Sequence, residues 1–227
     1  MNQQEAESTK STLNDWVSSA GRLCTALVLD ILDGQGLKNQ ALRPGIVPRT
    51  VQSVVIGAAK TLLWMDFSYD DPGTYELELQ AVDSLTPREF VVCATSNSER
   101  SGIWGELLTT AAARNGAVGI VTDGGVRDLA RVEAMGFPVF SRFVSPYDSF
   151  NRQKVVAFDV RVEIDNVAIE PGDVIVADRD GVAVVPLRFA SEVLEWALGK
   201  AGKEDQFRES VKAGSSLMKA YKQFHVL

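Results

Sequence analysis

The stretch GELLTTAAARNGAVGIVTDGGVRD, residues 105–128, carries the signals that decide the fold of this chain. Its first half is small and apolar and ends at the pair Asn115-Gly116, which predicts a helix from about Trp104 to Arg114. AVGIVTD follows as a continuous apolar strand of the kind found in parallel sheets. The loop GGVRD, the short helix LARVEAMG and the strand FPVFSR complete a strand–helix–strand unit. Ligands commonly bind at the carboxyl end of the first strand in such a unit.

The segments that follow this unit change the pattern from parallel to antiparallel. Beyond Ser149 the apolar residues alternate with polar ones, as in half-buried strands. The pair Asp180-Gly181 between two apolar runs predicts a hairpin turn. From Phe189 onward the sequence is helical and strongly charged. The pattern as a whole predicts a mixed α/β chain with a C-terminal helical arm.

The composition excludes several kinds of chemistry. The only histidine of the 227 residues is His225, which argues against a histidine-built zinc site and against a Ser-His-Asp or Cys-His nucleophile. Any metal would therefore be held by oxygen ligands, which favours Mg²⁺ or Mn²⁺. Because the formal net charge is −7 and the basic residues are scattered, nucleic acid is not an expected partner.

The apolar runs of the chain are short. None approaches the roughly 18–20 residues that a membrane span needs, and the polar N-terminus has no apolar signal core. We therefore expect a cytoplasmic protein with no membrane partner.

Three charges frame the opening stretch. A helix that begins near Trp104 leaves the first-turn N–H groups without helical partners, and these include the amides of Leu107 and Leu108. Such amides, at the positive end of the helix dipole, suit a carboxylate or a phosphate. Arg127 could bind the same anion in bidentate fashion, and Asp128 beside it could hold a hard cation. The parts together predict a site for a small anionic molecule that chelates a metal.

Each charge also has a purely structural interpretation, and the residues alone leave both open. Asp128 directly precedes the helix LARVEAMG, where Asp is a favoured N-cap. Glu106 could hold a metal-bound water or ligate directly, but in a first turn it also complements the helix dipole without any ligand. Arg127 could be a surface arginine. Gly124-Gly125 suits a tight turn, and no Walker-type lysine follows it.

The same stretch resembles the RraA-like family, which contains the regulators of ribonuclease E activity and the 4-hydroxy-4-methyl-2-oxoglutarate aldolases. The resemblance extends to TALVLDIL and to PGDVIVADRDGVAVVP, and covers the chain roughly from Thr25 to Glu204. It implies a β/β/α swivelling-domain fold with a mixed sheet, helices and a C-terminal helical arm. We expect a single RraA-like domain over residues 1–227, with a core at about 20–186 and the arm at 187–227.

The resemblance also implies a role for each candidate residue of the site. In the aldolase members the Asp of the Arg-Asp pair binds a divalent metal, here Asp128, and the Arg contacts the pyruvyl part of the substrate, here Arg127. The acid separated from this Arg by twenty residues orders a metal-bound water, here Glu106. The two backbone amides after that acid hold the substrate carboxylate, here those of Leu107 and Leu108.

The family further implies homotrimers or homohexamers with sites between subunits. A glutamate of the C-terminal arm reaches the site of the neighbouring subunit, and Glu204 is the match in this chain. The implied ligand is a small 2-oxo acid. The implied reaction is cleavage of a 4-hydroxy-2-oxo acid or decarboxylation of oxaloacetate with Mg²⁺ or Mn²⁺ as cofactor. The alternative is a non-catalytic regulator that binds a protein, like the ribonuclease E regulators, which lack the metal-binding Asp.

Two positions of the site depart from the family pattern. Glu106 stands where those aldolases usually place Asp, and Arg131 stands where an acid is often found. We expect the longer side chain of Glu106 to shift the water and to alter the chemistry.

Overall fold

The computed structural model describes residues 20–50 and 53–227, which form a mixed sheet with helices. The strands are β1 (Val47–Pro48), β2 (Val55–Asp66), β3 (Glu89–Ala94), β4 (Gly102–Trp104), β5 (Gly119–Val126), β6 (Val139–Val144), β7 (Gln153–Phe158), β8 (Val162–Ile164), β9 (Val167–Ile169), β10 (Val174–Ala177) and β11 (Val182–Val185). The α-helices are α1 (Thr25–Gly34), α2 (Glu76–Asp83), α3 (Glu106–Arg114), α4 (Leu129–Ala134), α5 (Ala190–Lys212) and α6 (Leu217–Phe224).

The main sheet has nine strands, and its central path runs β1-β6-β5-β3-β2-β10-β11. Strand β4 pairs with β5, β7 pairs with β2, and β8 and β9 form a separate two-stranded ribbon. The neighbours β2, β3, β5 and β6 run parallel, and for β5 this confirms the parallel type predicted from its continuous apolar run. Strands β10 and β11 pair antiparallel around the Asp180-Gly181 turn, so the hairpin prediction is confirmed.

The two faces of the sheet bury different apolar clusters, because successive side chains of a strand point to opposite faces. On β3, Phe90 and Val92 pack with the ribbon β8–β9, whereas Val91 and Cys93 pack with helices α2, α3 and α4. A third cluster joins α1 and α5 to β10 and β11. Helix α5 therefore covers part of the sheet with its first turns, and the Val193 side chain is fully buried there.

Two boundaries in the opening stretch differ from the sequence prediction. Trp104 lies in β4, and helix α3 begins only at Glu106. The glycines of the expected loop GGVRD belong to β5, which continues to Val126. The reason is an added pairing: β3 pairs with the first half of β5, and β4 pairs with its second half through Gly102 and Gly125.

The hairpin between β10 and β11 is tied to the start of α1. The Asp178 carboxylate accepts hydrogen bonds from the Thr25 N–H at 2.8 Å and from the Thr25 hydroxyl at 2.7 Å. It also accepts from the Asp180 N–H at 2.9 Å, and the Asp178 side chain is buried. The acid therefore satisfies the N-terminus of a helix that lies 153 positions away in the chain.

Asp178→Ala should lower the free energy of unfolding by about 1–3 kcal/mol, because it removes charged acceptors from a buried helix terminus. Urea denaturation measures the change. Asp180→Ala is the matched control, since Asp180 is exposed in the same turn and its removal should cost less than about 0.5 kcal/mol. Equal losses for the two variants would contradict the role assigned to Asp178.

Candidate active site

A cavity of about 280 Å³ opens where the N-terminus of α3 meets the ends of β4 and β5. Four of the residues predicted from the sequence lie on its wall, namely Leu107, Leu108, Arg127 and Asp128. Helix α2 and the segment before β7 close the other side. The cavity lies at the carboxyl end of β5, which is the position that the strand–helix–strand pattern predicts for a ligand.

The N-terminus of α3 brings hydrogen-bond donors to this wall. Gly105 precedes the helix and has no side chain with which to cap it. Among the residues that the structure describes, none accepts a hydrogen bond from the N–H groups of Leu107 and Leu108. These two donors and the positive end of the helix dipole suit an anion in the cavity. Their role in binding a carboxylate stays a prediction.

Asp128 does not cap the helix that follows it. It occupies the N-cap position of α4 with a left-handed backbone (φ 58°), and its side chain makes no capping hydrogen bond. The carboxylate lies instead beside α3, where its Oδ2 is 3.4 Å from the Glu106 backbone nitrogen and 3.6 Å from Arg127 Nε. Asp128 therefore does not cap α4 but accepts a long hydrogen bond from the first N–H of α3, and 43% of its side chain is exposed to solvent.

Gly105 allows the helix end and the acid to lie this close together. A Cβ atom at this position would lie 2.6 Å from Asp128 Oδ2 and 3.0 Å from Arg127 Cγ, so any other residue would displace these two side chains. The sequence analysis did not single out Gly105. The sequence feature that could have indicated Gly105 is its position directly before Glu106, the acid in the first turn of the helix.

Arg127 is not a surface arginine. Its Nε lies 3.6 Å from Asp128 Oδ2, and its Nη1 lies 3.5 Å from Asp148 Oδ2. The backbone N–H of Arg127 donates to the Trp104 carbonyl at 2.8 Å, which fixes the residue against β4. The guanidinium is thus held between two carboxylates on the cavity wall.

Two groups opposite Arg127 were missed by the sequence analysis. The Tyr75 hydroxyl donates to Asp148 Oδ2 at 2.9 Å. Burial and this acid raise the pKa of Tyr75 to about 12. Burial also raises the pKa of Asp148, but the Tyr75 hydrogen bond and the charge of Arg127 outweigh it and hold that pKa below its ordinary value. Asp148 is therefore a carboxylate at neutral pH, and its loop has no pattern that would have marked it.

Glu78 is a third missed residue, and it lies on the core-facing side of α2. Only 4% of the residue is exposed, and its Oε2 has no hydrogen-bond partner among the described residues. Burial, reinforced by the negative charge of Asp148, raises its pKa to about 8, although Arg127 opposes the shift. The sequence did contain a signal, because Glu78 precedes the apolar Ala81 and Val82 at helical spacing.

The two departures from the family pattern are neighbours in space. Glu106 Oε1 accepts a hydrogen bond from the Thr110 hydroxyl at 3.1 Å, and Glu106 Oε2 lies 3.9 Å from Arg131 Nη1. Because the Arg131 side chain is 78% exposed, this ion pair contributes little stability. The Glu106 side chain thus lies between α3 and α4, beside the cavity and not on its wall.

Glu204 lies elsewhere in the chain. It is on α5, where its Oε1 is 3.7 Å from Lys200 Nζ, and it does not line the cavity that contains Arg127. The predicted role places Glu204 in the site of a neighbouring subunit, so a single chain does not test it.

A buried acid on β5, Asp123, binds the turn between β3 and β4. Asp123 is 1% exposed, and its carboxylate accepts hydrogen bonds from the Thr95 N–H at 2.7 Å and the Asn97 N–H at 2.8 Å. Asn97 and the preceding Ser96 both have a left-handed backbone. The bonds hold the turn between β3 and β4, and so they orient the strand that leads into α3.

The donors on the cavity wall fit a partly hydrated divalent cation. Among the described residues there is no group of three or more His, Cys, Asp and Glu side chains that could enclose a metal. Mg²⁺ usually keeps several waters and takes one or two carboxylates together with oxygens of the substrate. The partly exposed carboxylate of Asp128 meets that requirement, whereas a closed structural metal site is not supported among the described residues.

No helix in the described ranges 20–50 and 53–227 is long and apolar enough to cross a membrane.

The sheet topology defines a mixed α/β protein with a cavity at the carboxyl end of β5. The chain belongs to the Aldolase/RraA family, whose RraA-like model matches residues 25–184. The family resemblance drawn from the sequence is thereby confirmed.

Three similar proteins illustrate the family. A protein of Halalkalibacterium halodurans named "Putative 4-hydroxy-4-methyl-2-oxoglutarate aldolase" is 27% identical over 207 residues, covering 91% of this chain and 93% of that protein. An uncharacterized protein of Methanocaldococcus jannaschii is 32% identical over 168 residues, covering 73% and 77%. Protein DlpA of Legionella pneumophila is 28% identical over 197 residues, and the match covers 86% of this chain but only 31% of DlpA.

Solved structures confirm the fold. An uncharacterized protein from Pseudomonas syringae superposes with a TM-score of 0.81 at 29% identity, covering 91% of this chain and 96% of that one. RraAS2 of Streptomyces coelicolor, described as an unusual member of the RNase ES inhibitor RraA protein family, gives 0.75 at 29% identity, covering 86% and 96%. The RraA-like fold predicted from the sequence is therefore confirmed.

Glu78→Gln should change how stability depends on pH. In the folded protein the Glu78 pKa of about 8 lies above its ordinary value of 4.5, so the folded state holds the proton more tightly than the unfolded state. The contribution of this group to stability is fully present below about pH 4.5 and is lost as pH rises to about 8. Between these values the loss is about 1.4 kcal/mol per pH unit.

Urea denaturation at pH 5, 6.5, 8 and 9 measures this effect. The difference in unfolding free energy between Glu78→Gln and wild type should move in favour of the variant as pH rises, and it should level off above about pH 8. Glu76→Gln is the control, because Glu76 lies on the same helix and is exposed. A difference for Glu78→Gln that stays constant with pH would show that Glu78 does not titrate in this way.

Proposed function

We propose that the chain is a divalent-metal-dependent carbon–carbon lyase that releases pyruvate from a 4-hydroxy-2-oxo acid, or from oxaloacetate by decarboxylation. The observation that supports this most is the carboxylate of Asp128. It makes no capping hydrogen bond to α4; its Oδ2 accepts from the Glu106 N–H at 3.4 Å, and it lies beside Arg127 and the N–H groups of Leu107 and Leu108 in one cavity. A cation ligand, a guanidinium and a carboxylate-binding helix end are the parts that chemistry next to a 2-oxo acid requires.

The first task of the site is to bind and orient the 2-oxo acid. The N–H groups of Leu107 and Leu108 would hold its carboxylate, and the positive end of the α3 dipole favours the negative charge. Arg127 would bind the pyruvyl oxygens from the opposite side. Because Asp148 and Asp128 hold the guanidinium from two directions, its position is set before the ligand arrives.

The proposed cation would be held by Asp128 and would be Mg²⁺ or Mn²⁺. When bound, it supplies Lewis-acid stabilisation of the negative charge that develops on the C2 oxygen. Arg127 adds positive charge at the same place. Because Gly105 has no Cβ, the Asp128 carboxylate has room at the end of α3, where it could bind the same small ligand as the amides.

The reaction also requires two proton movements. In the aldol cleavage the C4 hydroxyl loses its proton, the C3–C4 bond breaks, and the electron pair enters the pyruvate enolate. C3 then takes a proton to give pyruvate. Glu106 is the proposed acceptor and donor, acting through a water molecule, and the Thr110 hydroxyl donates a hydrogen bond to its carboxylate at 3.1 Å. In the proposed trimer or hexamer, Glu204 of a neighbouring subunit would complete the site.

The comparisons support this proposal and one alternative. The H. halodurans relative is named as an aldolase, and the match covers nearly its whole length, which favours the lyase. The similarity to RraAS2, described as a member of an RNase inhibitor family, favours a regulator that binds a protein. The presence of Asp128 argues for the lyase, since the ribonuclease E regulators lack the metal-binding Asp.

Pyruvate release, coupled to lactate dehydrogenase, tests the proposal. We expect turnover with Mg²⁺ or Mn²⁺ on at least one of 4-hydroxy-4-methyl-2-oxoglutarate, 4-hydroxy-2-oxopentanoate and oxaloacetate, and none in EDTA. Asp128→Asn and Arg127→Lys should each lower kcat/KM by about 10²–10³, because each removes charge stabilisation from the transition state.

The controls separate the enzyme from its background. Free metal ions decarboxylate oxaloacetate, so the Asp128→Asn protein with metal is the blank. Arg114→Lys makes the same change at an exposed arginine on α3 and should leave the rate unchanged. Wild-type rates equal to the blank on all three substrates would refute the lyase and leave the protein-binding regulator.

A further inference from the structure

Arg127 has two carboxylate partners in the cavity, and the proposed chemistry uses one of them for another purpose. Its Nε lies 3.6 Å from Asp128 Oδ2, and its Nη1 lies 3.5 Å from Asp148 Oδ2. Asp128 cannot attract the guanidinium to the same extent while it holds a divalent cation, because the two positive charges repel each other. Arg127 therefore needs a second anchor whenever the cation is bound.

Asp148 is the anion that remains for Arg127 among the described residues of the cavity wall. That wall contains three acids, namely Glu78, Asp128 and Asp148. Burial raises the pKa of Glu78 to about 8, so this residue holds its proton and offers little negative charge at neutral pH. Asp148 is a carboxylate under the same conditions. It can therefore attract the guanidinium when Asp128 no longer does.

The loop between β6 and β7 carries Asp148 and is fixed to the strand that precedes Arg127. The Ser145 N–H donates to the Val126 carbonyl at 3.0 Å, which joins the start of this loop to the end of β5. From the other side, the Tyr75 hydroxyl donates to Asp148 Oδ2 at 2.9 Å, and hydrogen bonds to a charged acceptor are among the stronger ones. The position of the Asp148 carboxylate is thus set by contacts that do not involve Asp128.

We propose that the two acids beside Arg127 divide their tasks: Asp128 holds the cation, and Asp148, fixed by Tyr75, is the positioning residue that keeps the guanidinium in the site. The inference rests on the proposed function in one respect, because it takes Asp128 to be the cation ligand. All the contacts that support it lie within one chain.

Modification of arginine by phenylglyoxal, with the peptides quantified by mass spectrometry, tests the proposal without any turnover. With Mg²⁺ present, Asp148→Asn should raise the rate of modification at Arg127 by at least about fivefold over wild type, as expected for loss of a partly exposed ion pair. In EDTA the increase should be about twofold or less, because Asp128 still holds the guanidinium. Tyr75→Phe in Mg²⁺ should give a rate between those of wild type and Asp148→Asn.

Asp83→Asn is the matched control, because it makes the same change beside another arginine. Asp83 lies 3.9 Å from Arg114, and the side chain of Asp83 is 73% exposed. The rate at Arg127 should stay at the wild-type value in this variant. Arg161, whose side chain is 63% exposed, is the internal reference for the reagent in every sample.

Three outcomes would overturn the proposal. The first is an equal rate at Arg127 in wild type and Asp148→Asn with Mg²⁺. The second is an increase as large in EDTA as in Mg²⁺, because the cation would then not alter the hold on Arg127. A faster rate at Arg161 as well would report unfolding of Asp148→Asn. Tyr75→Phe then decides, and an unchanged rate at Arg127 in that variant is the third.

Steady-state kinetics separates this inference from the proposed function. In an active lyase, Asp148→Asn should lower kcat by about tenfold or more without raising KM, because Arg127 is displaced from the developing charge while the ligand meets one acid fewer. In an Arg127→Lys background the same change should cost about twofold or less, since Asp148 acts through Arg127. An unchanged kcat in Asp148→Asn would refute the positioning role and keep the lyase. The expected modification rates without pyruvate release from any substrate would refute the lyase and keep the positioning role.

Discussion

The parallel pairing of β4 with the second half of β5 is the constraint on which the site depends. It ends the extended segment at Gly105 and starts α3 directly beside the residues that follow β5. The approach is possible because a Cβ at Gly102 would lie 2.5 Å from the Ser145 carbonyl oxygen and one at Gly125 would lie 2.7 Å from the Ser101 carbonyl oxygen. A few glycines therefore bring a helix dipole, a guanidinium and a carboxylate to one point.

The electrostatics of the site follow from this crowding. Arg127 lies between two carboxylates. The side chain of Glu78 is buried nearby, and its Oε2 has no hydrogen-bond partner among the described residues. A carboxyl group that lacks a partner in a buried position keeps its proton. The molecule thus presents one guanidinium flanked by two carboxylates on the wall of a single cavity.

Much of the fold could be predicted from the sequence, because continuous apolar runs and the Asp180-Gly181 turn are local signals. The boundary at Trp104 was wrong because a three-residue strand pairing overrides helical propensity, and such a pairing is not visible in the sequence around it. Arg127 and Asp128 could be proposed as site residues because they lie next to each other at a strand end, and both line the cavity. Asp148 was missed because it approaches them only in space, through a loop with no pattern.

The hydrogen bonds between Thr25 and Asp178 have a consequence for biosynthesis. The two residues are 153 positions apart, so the start of α1 has no acceptor for these donors until the β10–β11 hairpin has been translated. The third apolar cluster likewise joins α1 to β10, β11 and α5. Folding must close this long loop late, which slows the reaction and leaves the apolar side of α1 exposed on a nascent chain. Helix α1 is translated early, but it receives these acceptors only after β10 has been made.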